Sequence, residues 1–195
     1  MLLGKWIGIG LLAWLLNPSQ SMLVYDVIVK DQTIGQMQVA MLPTATGRQY
    51  RVDADVRMNL LGERRMITRF TSTYKDNLLT EARFHDQLNG RTKHDALVSW
   101  DGNGYRVRVN DASSVIPNRR ATYSAATLYD REPIGVHELF SERYGKFCPL
   151  RVKSAHTYEL TLPDGKKNYY HYVNGVCQEV EVEQPFFTVY FRLRH

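Results

Sequence analysis

Tyr50-Arg51-Val52-Asp53-Ala54-Asp55-Val56-Arg57-Met58-Asn59-Leu60 is the stretch that decides the fold class. Every even position in it is apolar and every odd one polar. Period two sends alternate side chains to opposite faces of an extended strand, one buried and one wet. A helix would scatter the same apolar residues around its circumference. The alternation recurs, less perfectly, at Tyr105/Val107/Val109, Tyr158/Leu160/Leu162 and Phe187/Val189/Phe191/Leu193.

Working outward, turn signals separate these runs: Leu61-Gly62, Asp76-Asn77, Asn89-Gly90, Asp101-Gly102-Asn103-Gly104, Pro163-Asp164-Gly165 and Asn174-Gly175. Strands joined by turns this tight must be antiparallel. The pattern predicts strands near 23–30, 33–42, 47–60, 63–75, 78–88, 91–100 and 104–110, then near 146–152, 156–162, 167–173, 176–183 and 186–193. Residues 116–143 interrupt it. There Thr122 or Ser124 is placed to cap a short helix running through Tyr129-Asp130 and ended by Pro133. A second short element would carry Val136, Leu139 and Phe140.

So many antiparallel strands cannot stay flat, because twist and the need to cover one apolar face curl the sheet. The expectation is a mainly β fold. It is a single strongly curved antiparallel sheet, a half-barrel or open barrel, with one or two short helical segments near 116–143 packed at its opening or concave side.

The first 21 residues read as a secretory signal peptide. Lys5 gives a positive start, Trp6 to Leu16 is apolar, and Ser19-Gln20-Ser21 offers small residues for cleavage before Met22. The apolar run is short of the roughly 20 residues a membrane span needs, which argues against an uncleaved anchor. No Cys follows the run to take a lipid. The reading is therefore one antiparallel β domain over 22–195 with no transmembrane segment after cleavage. Its expected location is the periplasm of a Gram-negative bacterium, or outside the cell.

Lys and Arg number 25 against 20 Asp and Glu, and removing residues 1–21 takes away Lys5 alone. Arg outnumbers Lys by 17 to 8. The basic residues are scattered, apart from Arg64-Arg65, Arg119-Arg120 and Lys166-Lys167, which is not the footprint of a nucleic-acid binder. Two cysteines, Cys148 and Cys177, follow the leader. In an oxidising compartment they can form a disulfide worth about 3 kcal/mol; the alternative is two separate semi-buried thiols. Their spacing is no zinc signature.

Motifs of catalysis are missing from the sequence: it has no Gly-x-Ser-x-Gly, His-Glu-x-x-His, Cys-x-x-Cys or phosphate-cradling glycine loop. Asp53 and Asp55 share a strand face, but Arg51 and Arg57 flank them, which makes a surface charge ladder. His85 and His94 are the candidate metal pair. With Asn89-Gly90 as a two-residue turn, Leu88 faces Arg91, and counting outward sets His85 opposite His94, about 5 Å apart at Cβ. No third ligand is evident, and a solvated pair is the alternative. His137, His156 and His171 look isolated. By the same counting from Asn174-Gly175, Tyr172 faces Cys177 and Tyr170 faces Glu179. That puts Tyr169, Val173, Val176 and Val180 on the core face and leaves Tyr170 and Tyr172 among charges. Those tyrosines would pair across strands on a wet face, or line a groove for a lipid or glycan.

Several stretches resemble an uncharacterised family of exported bacterial proteins, domain-of-unknown-function family 6134. They are Tyr25-Asp26-Val27 with Ile34-Gly35, Gly102-Asn103-Gly104-Tyr105, Tyr123-Ser124, Leu128-Tyr129 before Glu132-Pro133, and Phe140-Ser141-Glu142 with Gly145-Lys146-Phe147. Tyr158-Glu159-Leu160-Thr161-Leu162-Pro163-Asp164-Gly165 and Tyr172-Val173-Asn174-Gly175-Val176-Cys177 continue the likeness. The resemblance implies an elongated curved sheet and carries no catalytic residues. Together these readings point to a non-catalytic envelope protein without a cofactor, binding an apolar or amphipathic ligand such as a lipid on its concave face. The alternative is a structural module that holds another envelope protein, and the third reading is a hydrolase of cell-wall polymers.

Overall fold

In the computed structural model the alternating stretch is a strand with Tyr50, Val52 and Val56 buried and Arg51, Asp55 and Arg57 exposed. The structure describes residues 21–59 and 62–195. The signal peptide read in residues 1–21 lies outside them, save Ser21. In chain order the first eight strands are β1 (Ser21–Val29), β2 (Gln32–Thr44), β3 (Gly47–Asn59), β4 (Glu63–Lys75), β5 (Leu78–Leu88), β6 (Arg91–Trp100), β7 (Gly104–Val109) and β8 (Ala112–Pro117). The other six are β9 (Glu138–Ser141), β10 (Lys146–Ser154), β11 (Thr157–Thr161), β12 (Lys167–Val173), β13 (Val176–Glu183) and β14 (Thr188–Leu193).

All fourteen lie in one antiparallel sheet ordered β8-β7-β6-β5-β4-β3-β2-β1-β14-β13-β12-β11-β10-β9. The first and last strands pair in the middle, Tyr25 opposite Leu193 and Val27 opposite Phe191. The free edges, β8 and β9, are consecutive in sequence, so residues 118–137 bridge the slit of an unclosed barrel. Side chains seal part of that slit where hydrogen bonds do not. The Tyr105 ring lies 5.3 Å from Phe140 and 6.4 Å from Phe147, and the Arg119 guanidinium stacks 3.7 Å over Phe147 and pairs with Glu138.

The curved sheet and all twelve expected strands are present, with two more beside them. Those two were not legible. β8 is exposed along almost its whole length and so has no alternation; β9 is buried at Leu139, Phe140 and Ser141 and reads only as a short apolar run. The helix expected through Tyr129-Asp130 shrinks to a single 3-10 turn, Ala125–Leu128, preceded by Ser124.

Two registers depart from the sequence reading, each at a β-bulge, where one extra residue on one strand moves every later partner by one. Leu88 does face Arg91, but a shift between Asp86 and Gln87 sets His85 against Asp95 and Asp86 against His94. Tyr172 does face Cys177, but a shift between His171 and Tyr172 sets Tyr170 against Val180 and His171 against Glu179. Val180 is in the core as expected, but around it the faces are reversed. Tyr170 and Tyr172 are buried, whereas Val173 is 56% exposed.

Tyrosine dominates the interior: Tyr25, Tyr50, Tyr74, Tyr105, Tyr170 and Tyr172 all point into the core. Residues 121–132 enter that core from one end as a plug, with Ala121, Ala126, Leu128 and Tyr129 in the same apolar cluster as the strands. A buried irregular segment must find partners for its backbone groups. The walls provide them. The Tyr172 hydroxyl donates to Leu128 O at 2.6 Å, and Tyr105 Oη donates to Leu79 O at 3.0 Å while accepting from Ala121 N at 2.9 Å. Tyr158 Oη donates to Glu132 Oε1 at 2.8 Å, and Cys177 N donates to Tyr129 O at 3.1 Å.

Gly90 and Gly145 separate turn conformation from packing. Both have positive φ, 77° and 57°. A Cβ on Gly90 would meet nothing within 4 Å, whereas one on Gly145 would lie 2.3 Å from Val107 Cγ1 across the slit. Gly90→Ala should therefore cost only the left-handed strain, about 1–2 kcal/mol. Gly145→Ala should add about 1–3 kcal/mol of overpacking. Urea unfolding of both variants checks this; equal losses would contradict a packed seam between β7 and the β9–β10 turn.

Candidate functional site

The up-and-down order sends the connections alternately to two ends. The plug and the connections at 76–77, 101–103 and 174–175 occupy one end. The connections at 30–31, 89–90, 110–111, 142–145, 162–166 and 184–187 ring the other. Among the described residues, only the first end is filled. Inside the second lies a cavity of about 400 Å³, a cup whose size is at the lower end of the range for small-molecule sites.

Its apolar wall on one side is Val27, Met37, Val52, Val56, Phe70 and Phe84. The facing wall is Leu160, Leu162, Val182, Val189 and Phe191, with Phe187 near the mouth. The alternation of the opening stretch built this lining, since its even residues turn inward. The floor is Ala125 and Tyr129 of the plug with Glu142 and Tyr170. Polar side chains gather at the rim: Asp86, Arg143, Tyr144, Asp164, Lys166 and Gln184. Asp86 accepts from Thr68 Oγ1 at 3.0 Å, and Lys166 Nζ donates to Gln184 Oε1 at 3.2 Å.

Glu142 is the unusual group. It is 1% exposed, and it binds the plug to the wall. Its Oε1 accepts from Ser72 Oγ at 2.5 Å and from Ala126 N at 3.1 Å, and Oε2 accepts from Ala125 N at 3.2 Å. The carboxylate thus caps the 3-10 turn, the role the sequence reading gave to the Ser124 or Thr122 side chain. Burial pushes its pKa above the ordinary carboxylate range, and the hydrogen bonds oppose that only in part.

The residues singled out from sequence lie away from the cup. His85 is on the convex face with Nδ1 3.2 Å from Asp95 Oδ1, and His94 Nε2 donates to Arg143 O at 2.7 Å. The bulge that separates them puts them on opposite faces, so they do not form a metal pair. Cys148 and Cys177 are separate buried thiols, not a disulfide, and β11 and β12 lie between their strands. Burial raises both pKa values, to about 11 and about 12, which leaves them protonated and unreactive near neutrality. Asp53 and Asp55 do form a charge ladder, Arg51 Nε to Asp53 at 2.7 Å and Arg65 Nε to Asp55 at 2.9 Å.

His156 and His171 are not isolated. His156 Nδ1 lies 3.0 Å from Glu132 Oε1, and His171 Nε2 lies 2.7 Å from Glu181 Oε1. His171, Glu179 and Glu181 have metal-ligand spacing, their ligand atoms within 4.8 Å of one another. In the structure Glu181 lies against His171 and Glu179 pairs with Arg192, so both carboxylates have protein partners. The sequence signal that would have found this group is Glu179 and Glu181 at period two opposite a bulged hairpin. Glu142 had no such signal, because its partners come from β4 and the plug.

A family model described as a domain of unknown function (DUF6134) matches residues 25–194. Among curated proteins, none matches this sequence. In fold, the chain is similar to the crystal structure of a β-barrel-like protein of domain of unknown function DUF1849 from Brucella abortus. The two are 12% identical, with a TM-score of 0.52 over 89% of this chain and 95% of that one.

Glu142 generates a prediction about pH. Its folded pKa is raised, so the folded state holds the proton more tightly than the unfolded chain. The stability linked to this group is complete below the ordinary Glu range, about pH 4, and is lost as pH rises through the folded value. Glu142→Gln removes that loss, so its melting temperature should gain on the native protein as pH rises. A difference that stays constant with pH would contradict a raised pKa at Glu142.

Proposed function

We propose that this chain, which belongs to the family of domain of unknown function DUF6134, is a non-catalytic carrier that holds one apolar or amphipathic chain in its cup. The observation that carries the reading is the asymmetry of the barrel. One end is stoppered by residues 121–132, and the other opens on a cavity of about 400 Å³ with apolar walls and a polar rim. That pairing suits a molecule with an apolar tail and a polar head. A single acyl or isoprenoid chain is the natural size class. Glu142 supports binding over catalysis, because its oxygens are occupied by Ser72 and the plug. The leader-like residues 1–21 support an exported setting, where such ligands are sorted in the envelope.

A second reading draws on β8, a free edge strand with Val115 64% exposed. Such an edge can pair with a strand of another envelope protein.

Trp100 sits at the plugged end, 5.1 Å from the Tyr105 ring, so it should not report on the cup. Phe187→Trp places a reporter at the mouth. Titration with a fatty acid or lysophospholipid below its micellar threshold should shift this emission saturably. It should also raise the melting temperature of the native protein, because only the folded state binds. A folded variant that gives neither response with either amphiphile would overturn the carrier reading.

A further inference from the structure

The ring of connections around the mouth carries its charge unevenly. Arg64 at the start of β4, Arg91 and Lys93 at the start of β6, and Arg143 and Lys146 at the β9–β10 turn are all exposed. No carboxylate lies within 4.0 Å of any of these cations among the described residues. The three sites are neighbours. β4 and β5 are adjacent, His94 donates to Arg143 O at 2.7 Å, and the Arg143 guanidinium lies 5.6 Å from the Phe84 ring.

The convex face shows the opposite pattern. Arg51, Arg65, Arg69, Arg83, Arg106 and Arg108 each lie within 3.4 Å of a carboxylate. Lys166, elsewhere on the ring, has Asp164 at 3.9 Å, and Glu63 stands beside Arg64 in sequence. Elsewhere on the rim, on the β13–β14 connection, Phe186 follows Pro185 and is 91% exposed. A large aromatic held out in water on the rim of an apolar cup, with unpaired cations on another part of the same rim, is the composition of a membrane-surface contact.

We propose that the mouth end docks on an anionic lipid surface. Phe186 enters the head-group layer, and Arg64, Arg91, Lys93, Arg143 and Lys146 face the lipid phosphates. The charge complementarity selects an anionic lipid surface, since cations without internal partners give up no ion pair on docking. Docking in this orientation turns the cup toward the bilayer, so a chain can pass between them without crossing water. The inference rests on the cup being a chain-binding site.

Co-sedimentation of the protein with phosphatidylglycerol–phosphatidylcholine vesicles, and with vesicles of phosphatidylcholine alone, tests it. Binding is expected on the anionic vesicles, at least tenfold weaker on the neutral ones, and weakened by raising the salt concentration. Arg91→Glu combined with Lys93→Glu should reduce anionic-vesicle binding at least tenfold. Phe186→Ser should reduce it severalfold. Both variants should melt like the native protein, since these side chains are exposed. Binding that ignores lipid charge, or that survives the charge reversal, would overturn the proposal. If the vesicles are not bound while the Phe187→Trp reporter still titrates with monomeric amphiphile, docking fails and the cup reading stands. If neither responds, both fall.

Discussion

The structure depends on a hydrogen-bonding constraint: an irregular segment driven into an apolar core must have its backbone N–H and C=O groups matched. Residues 121–132 make that demand; inward tyrosines meet part of it, and Glu142 and strand backbone meet more. Tyr105 serves Leu79 and Ala121, Tyr172 serves Leu128, and Tyr158 serves Glu132, while Tyr25 Oη donates to Cys177 O at 2.8 Å in the strand that holds Tyr129. Tyrosine suits the task because its ring is core and its hydroxyl reaches several ångströms further to a polar group. A phenylalanine interior of the same shape would fill the space and leave Ala121 N and Leu128 O of the plug without these partners.

From that constraint follows the asymmetry that matters for function. The plug occupies one end of the curved sheet, so the opposite end keeps apolar walls that no described residue covers. Glu142 marks the boundary between the two. It is a buried carboxylate whose hydrogen bonds go to the wall at Ser72 and to the plug at Ala125 and Ala126. Below it are packed tyrosines; above it is open volume. The slit between β8 and β9 is tolerated because Phe140, Phe147 and Val107 close it by packing. The likeness to the β-barrel-like DUF1849 protein is one of overall fold.

Much of this was legible in the sequence, for a definable reason. Wherever one face is wet and the other dry, as at 50–59, the period of two names the strand and its inward residues. Two-residue turns such as Asn89-Gly90 and Asn174-Gly175 fixed the first pairs of their hairpins, Leu88 with Arg91 and Val173 with Val176. Legibility ended at the bulges. One extra residue in each hairpin broke the count, which undid the His85–His94 pairing and moved Tyr170 from Glu179 to Val180. Tyrosine misled for a different reason: its hydroxyl suggests solvent, and here the solvent-facing role belongs to valines such as Val173. The cup itself was foreseen only as a concave face. Its floor depends on where 121–132 and Glu142 go, which no local pattern encodes.

A carrier of this design holds a chain-bearing molecule in its open end in the cell. Native mass spectrometry of the protein purified without detergent from cells that naturally produce it tests this most directly. The expected result is a species heavier than the polypeptide by the mass of one single-chain amphiphile. That species should release the amphiphile on unfolding and revert to the bare mass. Only the bare polypeptide mass, from protein shown to be folded, would contradict it.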